Sequence, residues 1–447
     1  MQINTNTKRY LQIAIGISTI IFLIICNTAQ IPAAVITLLV LGVVCVLFVS
    51  EVIPLGVTAV CVPLVLNIAG AIDTKTAFSS LSNENVVLFV AMFVVGGAIF
   101  RTGVAKTIGE VVVLCAKGNR RKLLLYVMIA TGVLSSVLSN SGCVAVLLPV
   151  CIGIADAAKW DRKNLLMPLA MMASLGGTIT LVGTPPNITV SSVLKTFGYK
   201  GFGFFEYAYI GIPLSIVGGF LLLLIYGRNI DSYNFETTGM SFDSIAAIKF
   251  DRKQKTALSV LLGVVIAMAT GIINLAIAAT IGALACFATK IVSGEEALED
   301  IDWTTIFLFV GTLPMAEALE QTEAGKMIAD AAVHLMGNQP SDMVVLSIVF
   351  FIACALTQFM SNTASAALLA PIGIQIAITL NADPRGILMA IGIASSSAFA
   401  TPMATPPNTL ILGPSNAKFT DYMKSGLPLI LISYATCMVI IPKVWPF

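Results

Sequence analysis

The 447-residue sequence predicts an all-α polytopic membrane protein with about 11 transmembrane helices and two re-entrant hairpins in inverted repeats. The first observation behind this prediction is composition, because 57% of the residues are hydrophobic, 11% are charged and the mean hydropathy is +0.95. Soluble domains carry about 25% charged residues. A buried core cannot absorb this much apolar surface, whereas a bilayer can. The other two observations are the distribution of Lys and Arg and an internal repeat.

Apolar runs of spanning length can be read directly from the sequence. They lie near 10–29, 33–50, 53–72, 84–115, 164–198, 206–227, 254–272, 274–293, 302–336, 386–414 and 425–444. The stretches 121–158 and 341–380 are each interrupted by a short polar patch and are interpreted as re-entrant hairpins. Residues 1–32 are interpreted as a retained N-terminal transmembrane helix. A cleaved signal peptide is disfavoured by the length of the apolar run and the closeness of the next span.

Lys and Arg fix the predicted orientation. With a cytoplasmic N-terminus and hairpins that return to their own side, 19 of the 25 Lys and Arg residues fall on the cytoplasmic side. The expected location is therefore the cell inner (plasma) membrane, in a multi-pass arrangement. The net charge of +2 gives no indication of nucleic-acid binding. The nine Cys residues are scattered and include no C-x-x-C pair, so they predict neither disulfides nor a metal site.

Two polar motifs occur twice in the same order and at nearly the same offset. Ser139-Asn140-Ser141 returns in the second half as Ser361-Asn362-Thr363, and Thr184-Pro185-Pro186-Asn187 returns as Thr405-Pro406-Pro407-Asn408. An odd number of crossings in each copy predicts opposite orientations in the membrane. Inverted repeats joined by a linker are typical of secondary transporters.

These repeats define the predicted domains. Residues 33–227 form the first repeat and residues 254–447 the second, each containing one hairpin. The polar segment 228–253 is interpreted as a cytoplasmic linker between them.

The repeated motifs combine residue types suited to ion binding. Ser, Asn and Thr cap helix N-termini, and a half-helix N-terminus at membrane depth presents free N–H groups to an anion. Two inverted copies suit an anion with two negative groups. A Pro pair cannot lie inside a continuous helix, so each Thr-Pro-Pro-Asn motif unwinds its span. The freed carbonyls of Gly183 and Ala404 are candidate ligands for Na⁺.

Together, these four motifs make the chain resemble the divalent anion/sodium symporter family of di- and tricarboxylate transporters, over nearly its whole length. The resemblance implies a homodimer that works by an elevator mechanism, with a moving domain of both hairpins and both broken spans against a scaffold of the flanking helices. It implies substrate binding by Asn140, Ser141, Thr184, Asn362, Thr363, Thr405 and Pro406. It also implies a first sodium site at Ser135, Ser139, Asn140 and Gly183 and a second at Thr357, Asn362 and Ala404. Ser141 departs from the usual Thr of the motif.

The predicted function is secondary active transport of a dicarboxylate of the succinate, malate, fumarate and 2-oxoglutarate class. Sodium-coupled symport and sodium-independent exchange both remain open, with symport favoured, and an inorganic anion such as sulfate is a further alternative. No cofactor is expected besides Na⁺ as coupling ion. An enzyme is disfavoured because the chain has one His and no metal-binding or nucleotide-binding motif. A channel would need a continuous lined pore, which broken inverted helices do not favour.

Overall fold

The computed structural model describes residues 31–116, 119–157, 160–227, 250–337 and 340–446, together with Gln12, Ile15 and Ser18. Every regular element within those ranges is helical, which confirms the predicted all-α class. The helix predicted within 1–32 and most of the linker predicted over 228–253 lie outside the described residues.

The first half of the chain forms ten α-helices in the described residues. They are α1 (Ala33–Ser50), α2 (Leu55–Ile68), α3 (Thr74–Ser79), α4 (Glu84–Arg101), α5 (Val104–Cys115), α6 (Arg120–Ser135), α7 (Asn140–Ala157), α8 (Lys163–Gly177), α9 (Pro185–Thr196) and α10 (Ala208–Tyr226). A short 3₁₀ turn, Ser80–Ser82, separates α3 from α4.

The second half repeats this order helix by helix. Its members are α11 (Arg252–Thr270), α12 (Leu275–Ala288), α13 (Gly294–Asp300), α14 (Trp303–Gln321), α15 (Ala324–Met336), α16 (Asp342–Thr357), α17 (Asn362–Thr379), α18 (Pro384–Ser396), α19 (Pro406–Ser415) and α20 (Phe419–Val444). The hairpins are α6–α7 and α16–α17, and the broken spans are α8–α9 and α18–α19.

Six spans in the described residues are long and apolar enough to cross a membrane: α1, α3 with α4, α10, α11, α17 and α20. The apolar helices α2, α7, α12 and α16 are shorter, at 10–17 residues in their apolar parts. Several remaining predicted spans are divided between two helices.

Two predicted spans break where the sequence suggested continuity. Each of 84–115 and 302–336 is divided at a residue with left-handed backbone, Gly103 with φ +78° and Glu323 with φ +59°. A left-handed residue ends a helix, so α4 and α14 stop before these points. The helices that follow, α5 and α15, are amphipathic. In α15, Ala329 and Val333 are buried on one face, whereas Lys326 and Asp330 are exposed on another.

Packing divides the helices into two groups. We call α6–α10 and α16–α20 the hairpin group, because α10 and α20 pack mainly against α8, each other and α18. The flanking group comprises α1–α4 and α11–α14, while α5 and α15 contact both groups. The moving domain expected from the sequence contained the hairpins and the broken spans, without α10 and α20. Their packing against the broken spans associates them instead with the hairpins.

Candidate functional site

The two hairpin tips are the turns between α6 and α7 and between α16 and α17. Ser139 Oγ accepts a hydrogen bond from Gly142 N at 3.2 Å, and Ser361 Oγ accepts one from Ala364 N at 3.1 Å. These side chains cap the helix that follows, as their residue types favour. The asparagine after each serine is the first residue of that helix, so each tip presents an asparagine beside a helix N-terminus.

The two broken spans resume at the Thr-Pro-Pro-Asn motifs. In both, threonine is the N-cap and proline the first helical residue. The motif's asparagine then closes the loop before it: Asn187 Nδ2 donates to Thr180 O at 2.8 Å and Asn408 Nδ2 to Thr401 O at 2.9 Å. Both asparagines are buried. They pair carbonyls that the break has released, as backbone at membrane depth requires.

A tyrosine supports each of these asparagines from behind. Tyr207 OH donates to Asn187 O at 3.0 Å, and Tyr422 OH donates to Asn408 O at 2.9 Å. Both tyrosines are fully buried. The repeat does not predict them, because the tyrosine follows the asparagine by 20 residues in one half and by 14 in the other.

Both tips and both breaks line one cavity of about 580 Å³. All seven predicted substrate-binding residues lie on its wall: Asn140, Ser141, Thr184, Asn362, Thr363, Thr405 and Pro406. Of the predicted sodium ligands, Ser139, Gly183 and Ala404 also line it. Ser135 and Thr357 do not line the cavity, and they lie directly behind Asn140 and Asn362, with which they make contacts. Residues from opposite halves of the chain are thus brought to one space.

Around Asn140, three oxygens converge on one carboxamide. The amide nitrogen, oriented by its hydrogen bonds, donates to Ser135 Oγ at 2.6 Å and to the Gly183 and Ala173 carbonyls at 3.2 Å each. Ser135 Oγ in turn donates to Ala173 O at 2.7 Å. Rotation of the amide would turn its own oxygen toward the same three oxygens. That arrangement of four oxygens is one a hard cation can occupy.

Of the predicted first sodium site, Ser135, Asn140 and Gly183 come together, whereas the Ser139 hydroxyl accepts the capping bond at the tip. The Ala173 carbonyl was not anticipated. The repeat of Ala173-Ser174 as Ala394-Ser395 was the available signal, but a backbone carbonyl leaves no trace in the residue type.

The second cluster of oxygens, around Asn362, is smaller than the one around Asn140. Thr357 Oγ1 lies 2.9 Å from Asn362 Oδ1 and 2.6 Å from the Ser395 carbonyl, to which it can donate. Ala404 lines the cavity nearby, but within the described hydrogen bonds its carbonyl does not join this pair. The Ser395 carbonyl is the counterpart of Ala173 O and was likewise missed.

The remaining cavity wall is apolar with an acidic edge. The flanking group contributes Phe89, Phe93 and Leu308, and the second break contributes Met403, whose side chain is 73% exposed. Glu51 and Asp302 are the charged residues on the wall, and no Lys, Arg or His is among the described residues that line it. An anion in this space would therefore depend on helix N-termini and neutral donors, or on a bound cation.

Comparison with known proteins identifies the family of the chain. The profile of the CitMHS family, described as citrate transporter, matches residues 45–383 and 326–447. An uncharacterized transporter of Haemophilus influenzae is 30% identical over 445 residues, which cover 94% of each chain. The sodium-dependent dicarboxylate transporter SdcS of Staphylococcus aureus is 25% identical, covering 89% of this chain and 84% of that protein.

A solved structure shares the fold. The YdaH transporter of Alcanivorax borkumensis superposes with a TM-score of 0.58 at 14% identity, covering 83% of this chain and 87% of that one. The family match confirms the resemblance to divalent anion transporters that the paired motifs indicated, and it excludes an enzyme. The solved structure shares the arrangement of the helices described above, and the matching family and relatives are transporters. The chain belongs to the CitMHS family of citrate transporters.

Proposed function

We propose that this protein is a secondary active transporter of small dicarboxylates, of the succinate, malate, fumarate and 2-oxoglutarate class. The observation that carries the proposal is the meeting of two inverted asparagine-tipped helix N-termini, Asn140 and Asn362, at one cavity. Each N-terminus offers unpaired N–H groups and a partial positive charge to a carboxylate. Two such ends at one cavity match the two carboxylates of the substrate.

Sodium-coupled symport is the favoured mode. A dianion in a cavity without basic side chains among its described lining residues requires compensation, and the acidic edge at Glu51 and Asp302 increases that requirement. The oxygens gathered around Asn140 support a cation there. Without sodium the Asn140 amide nitrogen can satisfy the same oxygens. An exchanger that never crosses the membrane empty is therefore the second candidate.

The proposed movement is an elevator displacement of the hairpin group against the flanking group. Some ion pairs in the described residues lie within the hairpin group, namely Arg385–Glu206 and Lys163–Asp421. Lys195 of α9 pairs with Glu84 of α4 across the two groups, and Asn274 Nδ2 also donates to Glu84 at 2.7 Å. A contact between the groups at one membrane face is expected to change when they slide.

The proposed orientation has a cytoplasmic N-terminus in the inner membrane. Each described ion pair joins residues that this topology assigns to the same side, for example Arg101 with Asp300 and Glu206 with Arg385. Glu51 and Asp302 would then lie at the cytoplasmic edge, so that the cavity opens inward. The resemblance to the symporter family supports a homodimer.

The test is uptake of labelled succinate by the purified protein in liposomes, with and without an inward sodium gradient and with and without internal succinate. We expect uptake that requires sodium and is competed by malate and fumarate. Uptake that ignores sodium and requires internal succinate would establish exchange and keep the substrate assignment. Competition by sulfate but not by other dicarboxylates would overturn the substrate assignment. Uptake unaffected by internal substrate and unsaturable would indicate a pore.

A further inference from the structure

The two halves of the site hold their helices together in different ways. In the first half, α6 and α8 meet backbone to backbone at Gly132 and Gly176. A Cβ added to Gly176 would lie 2.6 Å from the Gly132 Cα, a distance that no side chain can tolerate. Contact this close needs glycine. It fixes Ser135, one turn further along α6, against the Ala173 carbonyl of α8.

The second half lacks these glycines. When the two copies of the repeat are aligned on their shared motifs, Cys354 takes the place of Gly132 and Ser397 takes the place of Gly176. Both residues carry side chains where the first half has none, and Cys354 Sγ lies 3.9 Å from Ser397 O. In place of the glycine contact, a longer side chain joins α16 to α18.

Gln358 makes that connection. Its Nε2 donates to Cys354 O at 3.0 Å and to Ser397 O at 3.1 Å, so one amide joins the ends of both helices. Its Oε1 accepts from Ala400 N at 3.0 Å, in the loop that leads to Ala404. The side chain is buried. Through these three bonds the Gln358 side chain connects the hairpin helix α16 to the end of α18 and to the loop after it.

The first-half equivalent does none of this. Ser136 occupies the position of Gln358 in the first copy of the repeat, and among the described hydrogen bonds its hydroxyl donates to Val133 O of its own helix at 2.7 Å. The backbone carbonyls of both residues accept a threonine hydroxyl, from Thr180 in the first half and from Thr401 in the second, so the difference lies in the side chains. The N–H equivalent to that of Ala400 belongs to Ile179, and it is paired at 3.0 Å with the carbonyl of Gly176. A backbone acceptor in the first half is thus replaced by a side-chain acceptor in the second.

We propose that Gln358 is the positioning residue of the second cation site. Thr357 Oγ1 and the Ser395 carbonyl, 2.6 Å apart, belong to the second cluster of oxygens. Gln358 follows Thr357 directly, and its amide donates to the carbonyl of Ser397, two residues after Ser395. It also anchors the loop that carries Ala404. The hydroxyl contacts of Ser135 and Thr357 are common to the two halves, so the difference lies in glycine packing in the first half and the Gln358 amide in the second. This inference rests on the proposed sodium coupling.

The test replaces Gln358 by the first-half residue. Gln358→Ser should raise the sodium concentration for half-maximal succinate uptake by roughly tenfold, because it removes buried bonds that hold the ligands. The sodium dependence should also become less steep. The maximal rate and the KM for succinate at saturating sodium should stay within about twofold. A role in general stability would instead lower the maximal rate and leave the sodium midpoint unchanged.

Two controls make the result specific. Ser136→Ala, the matched first-half variant, should leave the sodium midpoint unchanged. The triple variant Cys354→Gly, Gln358→Ser and Ser397→Gly rebuilds the first-half packing in the second half and should restore the sodium midpoint. If Gln358→Ser folds but does not transport, the sodium midpoint can be measured from sodium-induced thermal stabilisation, with choline as the comparison salt.

The outcomes separate this inference from the proposed function. Sodium-independent uptake by the unchanged protein would overturn the coupling and, with it, the role of Gln358. Sodium-dependent uptake with the same midpoint in Gln358→Ser would overturn the role of Gln358 alone. A raised midpoint that the triple variant reverses would support both.

Discussion

The first and second halves of the cavity present matching polar groups on differently packed helices. Asn140 and Asn362 occupy the same place in their hairpins, and each contacts a hydroxyl that lies five residues earlier, at the end of the preceding helix. Behind them, α6 and α8 of the first half are in contact at Gly132 and Gly176, whereas Gln358 joins α16 to α18 in the second half. The comparison teaches that inverted repeats can match at a binding surface while different side chains hold that surface in place.

The halves also differ in how many oxygens they gather. The Asn140 carboxamide lies within 3.2 Å of three oxygens, whereas Asn362 lies 2.9 Å from the Thr357 hydroxyl. Since affinity for a hard cation rises with the number of oxygen ligands in place, we expect the first site to bind sodium more tightly than the second.

The largest expected effect is on packing. Gly176→Ala should destabilise the protein strongly, by ~1–3 kcal/mol or more, because the new Cβ meets backbone that cannot rotate away. The matched change Ser397→Ala removes only a hydroxyl that bonds back to Ile393 O at 2.8 Å and should have little effect. The measurement is the thermal midpoint of monodisperse protein in detergent. Equal midpoints for the two variants would contradict the packing difference.

The next largest effect is on binding. Asn140→Ala and Asn362→Ala should each leave an oxygen of the bound dicarboxylate, or a coordination position of the ion, without its partner, at ~1–3 kcal/mol, or roughly 5–150-fold in affinity for succinate or sodium. Asn140→Ala should be the more severe, because its amide serves three oxygens. Uptake kinetics at several sodium concentrations provide the measurement. Thr436→Ala, which removes a hydroxyl bonded only within its own helix, is the control. Wild-type transport by Asn362→Ala would end the site assignment.

A smaller effect concerns Ser141 and Thr363, the residues that follow the two asparagines. Thr363→Ser removes one methyl group from a buried position, which should weaken succinate binding by ~0.8 kcal/mol, or about fourfold. Ser141→Thr adds the same group where the first half lacks it and should tighten binding by no more than that. Succinate KM at saturating sodium decides the matter. If both variants kept the succinate KM of the unchanged protein, neither methyl group would contact the substrate.

The smallest effect concerns the contact between the two groups of helices. The side chains of Glu84 and Lys195 are 43% and 40% exposed, so their pair should contribute only ~0.2–1 kcal/mol. The positions equivalent by the repeat, Thr304 and Asn416, are uncharged. Glu84→Gln should therefore shift the facing equilibrium of the carrier by no more than about fivefold. The shift can be followed by thiol labelling of Met403→Cys from each side of the membrane.

Glu206→Gln provides the control for that measurement. It breaks the ion pair with Arg385, which lies within the hairpin group on the same predicted side. It should leave labelling unchanged. The same shift in both variants would show that surface charge, and not the contact between groups, is responsible.

Much of this arrangement could be predicted from the sequence because membrane depth imposes strict local rules. Polar Ser-Asn motifs inside apolar stretches had to form turns, and paired prolines had to break helices. The breaks at Gly103 and Glu323 escaped prediction because hydropathy continues across them, and a left-handed backbone leaves no mark on hydropathy. The association of α10 and α20 with the hairpins was also missed, since apolar helices facing lipid and facing protein look alike in composition.

The sequence by itself determined the helical membrane class, the repeat and the identity of the polar residues at the tips and breaks. The reason is that polar side chains inside a bilayer are energetically costly and therefore rare, so those at functional positions are conspicuous among apolar residues. Tertiary structure alone decided which backbone carbonyls join them, as at Ala173 and Ser395, and how the helices behind them are held. Those contacts depend on the fine spacing between segments that are far apart in the chain, and no local pattern encodes such distances.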